Sequence, residues 1–269
     1  MVFEQLFKVK WIERKEHAFF LGFVYSIIGL VSARFIFPSG FGLMSIAFTS
    51  ILLIPSLAML LKMEENVEIR EKKLSLKLLF KDHKDIFKVY TFMFLGVFLA
   101  YSLIALLFPQ LTIQKLFEAQ LRAAGVRGFA TFSGTLFSIV LNNLIVFVVC
   151  FILSLMYGAG AVLFLVWNAS VWGVVFVYFI KEASAVIGMN PFVEFGSSIL
   201  PFLPHMVTEA AAYVGAAITG GVVSKAVLRE KLFSREFHHI ITDALIFLAL
   251  GIILVLIAGI IEINYAANI

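Results

Sequence analysis

The chain has 269 residues, of which 62% are hydrophobic and only 14% charged, with a formal net charge of +4. Soluble domains carry roughly 45–50% apolar and about 25% charged residues, so this balance, with a mean hydropathy of +1.03, excludes an ordinary soluble domain and predicts an integral membrane protein in contact with the lipid bilayer. The small positive charge gives no reason to expect a nucleic-acid partner, and the single cysteine, Cys150, excludes an intrachain disulfide.

A membrane helix needs about 20 mostly apolar residues. Seven stretches qualify, near 17–37, 41–61, 88–108, 134–157, 160–180, 199–224 and 241–264. The expected fold is therefore an all-α polytopic transmembrane helix bundle, a single integral membrane domain over residues 1–269. A bundle of six full spans plus one re-entrant or interfacial segment is the alternative, with the first stretch as the candidate because Arg34 sits near its end. That stretch ends at Arg34, Phe37 and Pro38 without a small-x-small cleavage pattern, so it reads as a retained span and not as a signal peptide.

Breaks between spans have local causes. Pro38, Ser39 and Gly40 interrupt the first pair, and Lys62 to Glu65 ends the second span. Residues 62–88 mix eight Lys and Arg with Leu74, Leu76, Leu78, Leu79, Phe80, Ile86 and Phe87, which predicts a cytoplasmic amphipathic helix lying on anionic lipid. Pro109 ends the third span. Residues 109–133 place Leu111, Ile113, Leu116, Phe117 and Leu121 at helical spacing, with Lys115, Glu118 and Arg122 opposite, which predicts a second interfacial helix on the outer side. Gly158 and Gly160 form a tight turn between the fourth and fifth spans, and Gly188, Asn190 and Pro191 punctuate the next connection.

With seven spans and the N-terminus in the cytoplasm, 16 Lys and Arg fall inside and 5 outside. The positive-inside rule therefore predicts a multi-pass cell-membrane protein with a cytoplasmic N-terminus and an outer C-terminus.

Polar groups at membrane depth are costly and are functional candidates by default. The sequence offers Asn142 and Asn143 in the fourth span, Asn168 in the fifth, and His205 and Glu209 in the sixth. Four residues apart on a helix, His205 and Glu209 share one face and can pair. Pro201 and Pro204 predict a kinked or irregular start to that span. Two readings stand: an interhelical clamp to the asparagines, or a proton- or cation-linked site. Zinc takes three or four protein ligands, and His205 is the only histidine deep in a span, so no metal site and no cofactor is expected. His238 and His239 read as solvated loop residues.

The sixth span also carries two rows of small residues, Ala211–Gly215–Thr219 and Ala212–Ala216–Gly220. Such rows let membrane helices approach closely. They predict tight packing within the bundle or a homodimer seam, with Gly251 and Gly259 of the seventh span as the opposing groove. No nucleophile elbow, phosphate-binding loop or metalloprotease motif is present, so an enzyme is not expected.

In chain order the polar residues read Asn142-Asn143, Gly158-x-Gly160, Asn168 with Gly173, then Pro204-His205-x-x-x-Glu209 followed by Ala211 and Gly215. Over about residues 88–264 this order resembles the stage II sporulation protein M family of multispanning membrane proteins. Met206 stands where the family usually has glycine, and Ala210 to Ala212 stand where it often has a further proline. The resemblance implies a non-catalytic membrane scaffold of the cell envelope that recruits or positions partner proteins. The expected partners are a second copy, as a dimer, or other membrane or envelope proteins. The competing expectation is a transporter or channel for protons or a small cation, using the His/Glu/Asn cluster.

Overall fold

The computed structural model describes residues 15–68, 76–124, 136–229, 231 and 234–266. Among these residues the secondary structure is helical throughout. The helices are α1 (Lys15–Ile36), α2 (Phe41–Glu68), α3 (Leu76–Leu107), the short α4 (Gln110–Leu116) and α5 (Glu118–Ala123), then α6 (Leu136–Tyr157), α7 (Val162–Ile187), α8 (Pro191–Arg229) and α9 (Arg235–Ala266). Six of them, α1, α3, α6, α7, α8 and α9, are long and apolar enough to cross a membrane. The chain is thus an all-α polytopic bundle. The first stretch is one of the six, so it is not the odd segment; α2 is a further apolar helix, with Phe41–Leu57 as its apolar stretch among the described residues. Arg34 lies in the last turn of α1, where a cation complements the helix dipole, so it marks an end and not an interruption.

The described parts of 62–88, read as an amphipathic helix, are divided between two helices. Helix α2 continues to Glu68, residues 69–75 lie outside the described residues, and from Leu76 the chain belongs to α3, one helix running on to Leu107. Its apolar and basic residues extend a membrane helix because nothing between Leu76 and Leu107 breaks it. The predicted outer helix becomes two short ones bent at Phe117, while residues 125–135 lie outside the description. Ile113, Phe117 and Leu121 are fully buried, whereas Leu111 is exposed. This pair is docked on the bundle through specific bonds: Gln120 Nε2 donates to Gly42 O at 3.2 Å, and Gln114 Nε2 to Tyr178 Oη at 3.1 Å.

Helix α8 starts eight residues before the expected 199, and the reason is capping. Gly188 takes a left-handed φ of +71° and closes α7. Asn190 Oδ1 then accepts from Phe192 N at 2.9 Å, Pro191 occupies the first helical position and Glu194 the first turn. The helix runs through Pro201 and Pro204 without breaking. The predicted irregular start is therefore absent, and Thr208 Oγ1 donates to Pro204 O at 2.7 Å.

Small residues set the helix crossings. A Cβ on Gly96 of α3 would lie 2.9 Å from Phe23 N of α1, and one on Gly22 of α1 would lie 3.1 Å from Met93 C of α3. The two backbones therefore touch, and any side chain would force them apart. Gly173 of α7 approaches Phe98 O of α3 in the same way, at 2.7 Å, and Gly220 of α8 approaches Ser154 Cβ of α6 at 2.8 Å. Gly251 and Gly259 meet Phe147 and Val140 of α6, not the rows of α8. Two-thirds or more of the apolar windows of α3 and α8 is buried, against 17% for α6, so α3 and α8 form the centre and α6 a lipid-facing edge.

Candidate functional site

The site is assembled by the crossing of α8 with α9. His205 and Glu209 project from the same face of α8, one turn apart, and both are buried. His205 Nε2 lies 3.2 Å from Glu209 Oε2. The helical register brings a third group to them: Glu262, near the end of α9, places its Oε2 3.9 Å from the same His205 nitrogen. Ligand atoms of the three residues lie within 4.8 Å of one another. Among the described residues, His205 is the only cationic partner that either carboxylate meets.

Each member is held from behind. His205 Nδ1 faces Ala258 O of α9 at 3.4 Å and Nε2 faces Glu209 Oε2 at 3.2 Å; both oxygens accept, so the protonated ring donates to each, and a neutral ring keeps its one proton on one of the two sides. Tyr213 Oη, one turn beyond Glu209, donates to Glu209 Oε1 at 2.5 Å and fixes that carboxylate. Trp172 of α7 covers both rings, with centroids 5.9 Å from His205 and 6.4 Å from Tyr213, and Phe202 lies 5.5 Å from His205. Trp172 and Phe202 thus pack against the His205 ring. Glu262 is the open side, with 22% of its side chain exposed.

The asparagines do not join this cluster through the hydrogen bonds seen. Asn168 Nδ2 donates to Phe164 O one turn back in its own helix, at 2.8 Å. Asn142 is exposed and donates to its neighbour Asn143 Oδ1 at 3.3 Å. Asn143 is buried, and its Nδ2 has no partner among the described residues. The expected clamp between the His–Glu pair and the asparagines is thus replaced by one to Glu262 and Tyr213. The small-residue rows also separate. Ala212, Ala216 and Gly220 are buried, and Gly220 packs on α6, where Ser154 Oγ donates to Ala217 O at 2.6 Å. Ala211 and Gly215 are only half-buried, Thr219 is buried, and a Cβ on Gly215 would touch nothing. In the turn between α6 and α7, Gly158 adopts a φ of +63° and accepts from Ser154 Oγ, and Gly160 sits against Tyr157.

Sequence reasoning counted no second carboxylate near His205, because Glu262 is distant in the chain. The signal was present. Glu262 falls inside the stretch 241–264, where any ionisable residue is a candidate.

This arrangement defines a polytopic membrane bundle with one buried His–Glu–Glu centre. The family description "Stage II sporulation protein M" matches residues 86–265, from within α3 through that centre. The protein belongs to the stage II sporulation protein M family. No curated protein and no solved structure gives a significant match to the chain.

Proposed function

We propose that this protein is a non-catalytic integral membrane scaffold of the cell envelope that positions partner proteins; with α2 counted as a seventh crossing, its N-terminus is cytoplasmic and its C-terminus outside. The observation that carries the proposal is the hairpin tip between α7 and α8. At about 1.5 Å per residue, α8 runs roughly 20 Å from His205 back to Pro191, whereas α9 is described only to Ala266, about one turn past Glu262. The α7–α8 hairpin therefore projects beyond the described part of α9. Its tip exposes Val186, Ile187, Met189, Phe192 and Val193. Just below the tip, Lys181 donates to Phe108 O, and the docked α4–α5 pair exposes Glu118 and Arg122 in an ion pair. An exposed apolar tip suits a protein partner, since exposed apolar patches mark interaction sites. The half-exposed Ala211–Gly215 edge of α8 suits a second copy, as a dimer. A photo-activatable residue at Phe192 tests this in cells. Discrete protein adducts that Val186→Asp with Val193→Asp removes are expected, and adducts to lipid alone would contradict the scaffold.

A second reading, proton- or cation-linked transport, is favoured by the open side of the buried centre at Glu262. In proteoliposomes it requires a flux that Glu209→Gln abolishes, and flux unchanged by that substitution rules it out.

A further inference from the structure

We propose that His205, Glu209 and Glu262 together bind one divalent first-row transition metal ion of the zinc type. Three independent features carry this. First, the donor atoms converge. Ligands of a tetrahedral zinc ion with bonds of about 2.0–2.2 Å sit roughly 3.3 Å apart. The His205–Glu209 edge is 3.2 Å, the His205–Glu262 edge 3.9 Å, and all three ligand atoms fall within 4.8 Å. Closing the wider edges requires only a shift of the Glu262 side chain, the one member of the three with freedom on its exposed side.

Second, the groups behind the donors are those a metal site uses. A metal-binding imidazole commonly donates its other N–H to a carbonyl, which fixes the ring and the tautomer. Here His205 Nδ1 faces Ala258 O. A ligating carboxylate is likewise held through its second oxygen, and Tyr213 Oη holds Glu209 Oε1, leaving Oε2 toward His205.

Third, a divalent cation matches the charge of the set. Two carboxylates in an apolar bundle, with no Lys or Arg paired to them among the described residues, carry two negative charges when both are ionised. A single proton on His205 offsets one. A doubly charged ion offsets both while the imidazole stays neutral, as a ligand must be. Magnesium and calcium prefer six or more oxygens, whereas one imidazole with two carboxylates suits zinc, manganese, iron or cobalt. Three protein donors leave a fourth position open on the Glu262 side.

This inference does not depend on partner binding, because metal uptake and cross-linking at Phe192 are read on separate variants. The test uses full-length protein in detergent, free of any histidine tag, stripped with chelator and titrated with Co²⁺. One Co²⁺ per chain, with a visible d–d absorption band that Zn²⁺ displaces, is expected. Glu262→Gln, at a partly exposed position, should weaken Co²⁺ binding at least tenfold with an unchanged size-exclusion profile, and Glu209→Gln should remove the band. His238→Asn with His239→Asn should leave the band intact. Wild-type protein without the band, a band undiminished in Glu262→Gln, or a band lost with the two loop histidines would each overturn the proposal.

Discussion

The N-terminal pair α1–α2 and the α8–α9 crossing are both tight helix contacts, but they are built from different chemistry. Between α1, α2 and α3 the contact is backbone against backbone. Gly22 and Gly96 bring α1 onto α3, and Gly29 brings α1 within 2.9 Å of Thr49 N of α2 for an added Cβ. The polar groups there are neutral: Tyr101 Oη donates to Ser45 Oγ at 3.0 Å, and Ser45 to Gly42 O at 2.9 Å. Across α8 and α9 the contact passes instead through a histidine and two carboxylates. Neutral hydroxyls and glycines suffice to pack helices in lipid. The costlier ionisable groups occur where packing alone gives no reason for them. The family match begins at residue 86, so it leaves out α1 and α2 and retains the ionisable centre.

Substitutions sharpen this contrast. The largest loss is expected on the glycine side. Gly96→Leu drives a side chain into the α1 backbone and should cost about 3 kcal/mol, read as a lowered unfolding temperature in detergent. At the centre, Glu209→Ala strands the Tyr213 hydroxyl and the His205 ring and should cost roughly 2–3 kcal/mol. Asn142→Ala, at an exposed position, should stay within about 0.5 kcal/mol of the parent in the same assay. If the two losses were equal, the asparagine would belong to the buried network after all.

Ser154→Ala removes the one hydroxyl proton shared between Ala217 O and Gly158 O and should cost about 1 kcal/mol. The smallest effect distinguishes the two rows of α8. Gly220→Ala meets Ser154 and Leu155 and should destabilise, whereas Gly215→Ala meets nothing and should be neutral or stabilise by up to about 1 kcal/mol through helix propensity. Should Gly215→Ala instead disrupt a dimer seen by cross-linking, that edge is the seam between copies.

Much of the architecture was readable before the structure, because membrane helices announce themselves by length and apolarity. The ends were less readable. Hydropathy placed the start of the sixth span at 199, while the actual signals were Asn190 as cap and Pro191 at the first helical position. The amphipathic character of 76–87 was visible, but not that it continues unbroken into α3, since no single residue marks a continuing helix. At the site, His205 and Glu209 were legible from i, i+4 spacing on one helix. Glu262 and the screen of Trp172 were not, because which residue of α9 or α7 faces His205 depends on how those helices cross, and spacing within one helix carries no information on that. Two of the asparagines bond locally, Asn168 to Phe164 O and Asn142 to Asn143 Oδ1, while Asn143 Nδ2 has no partner among the described residues.

The central claim is that residues from α8 and α9 form one coupled centre. The most direct measurement is a double-mutant cycle on His205→Gln and Glu262→Gln, by unfolding chelator-treated protein in detergent. Residues in contact show coupling of 0.5–3 kcal/mol, and independent ones add within about 0.3–0.5. The 3.9 Å approach of the two side chains predicts a coupling of about 1 kcal/mol. Strict additivity of the two substitutions would contradict the account.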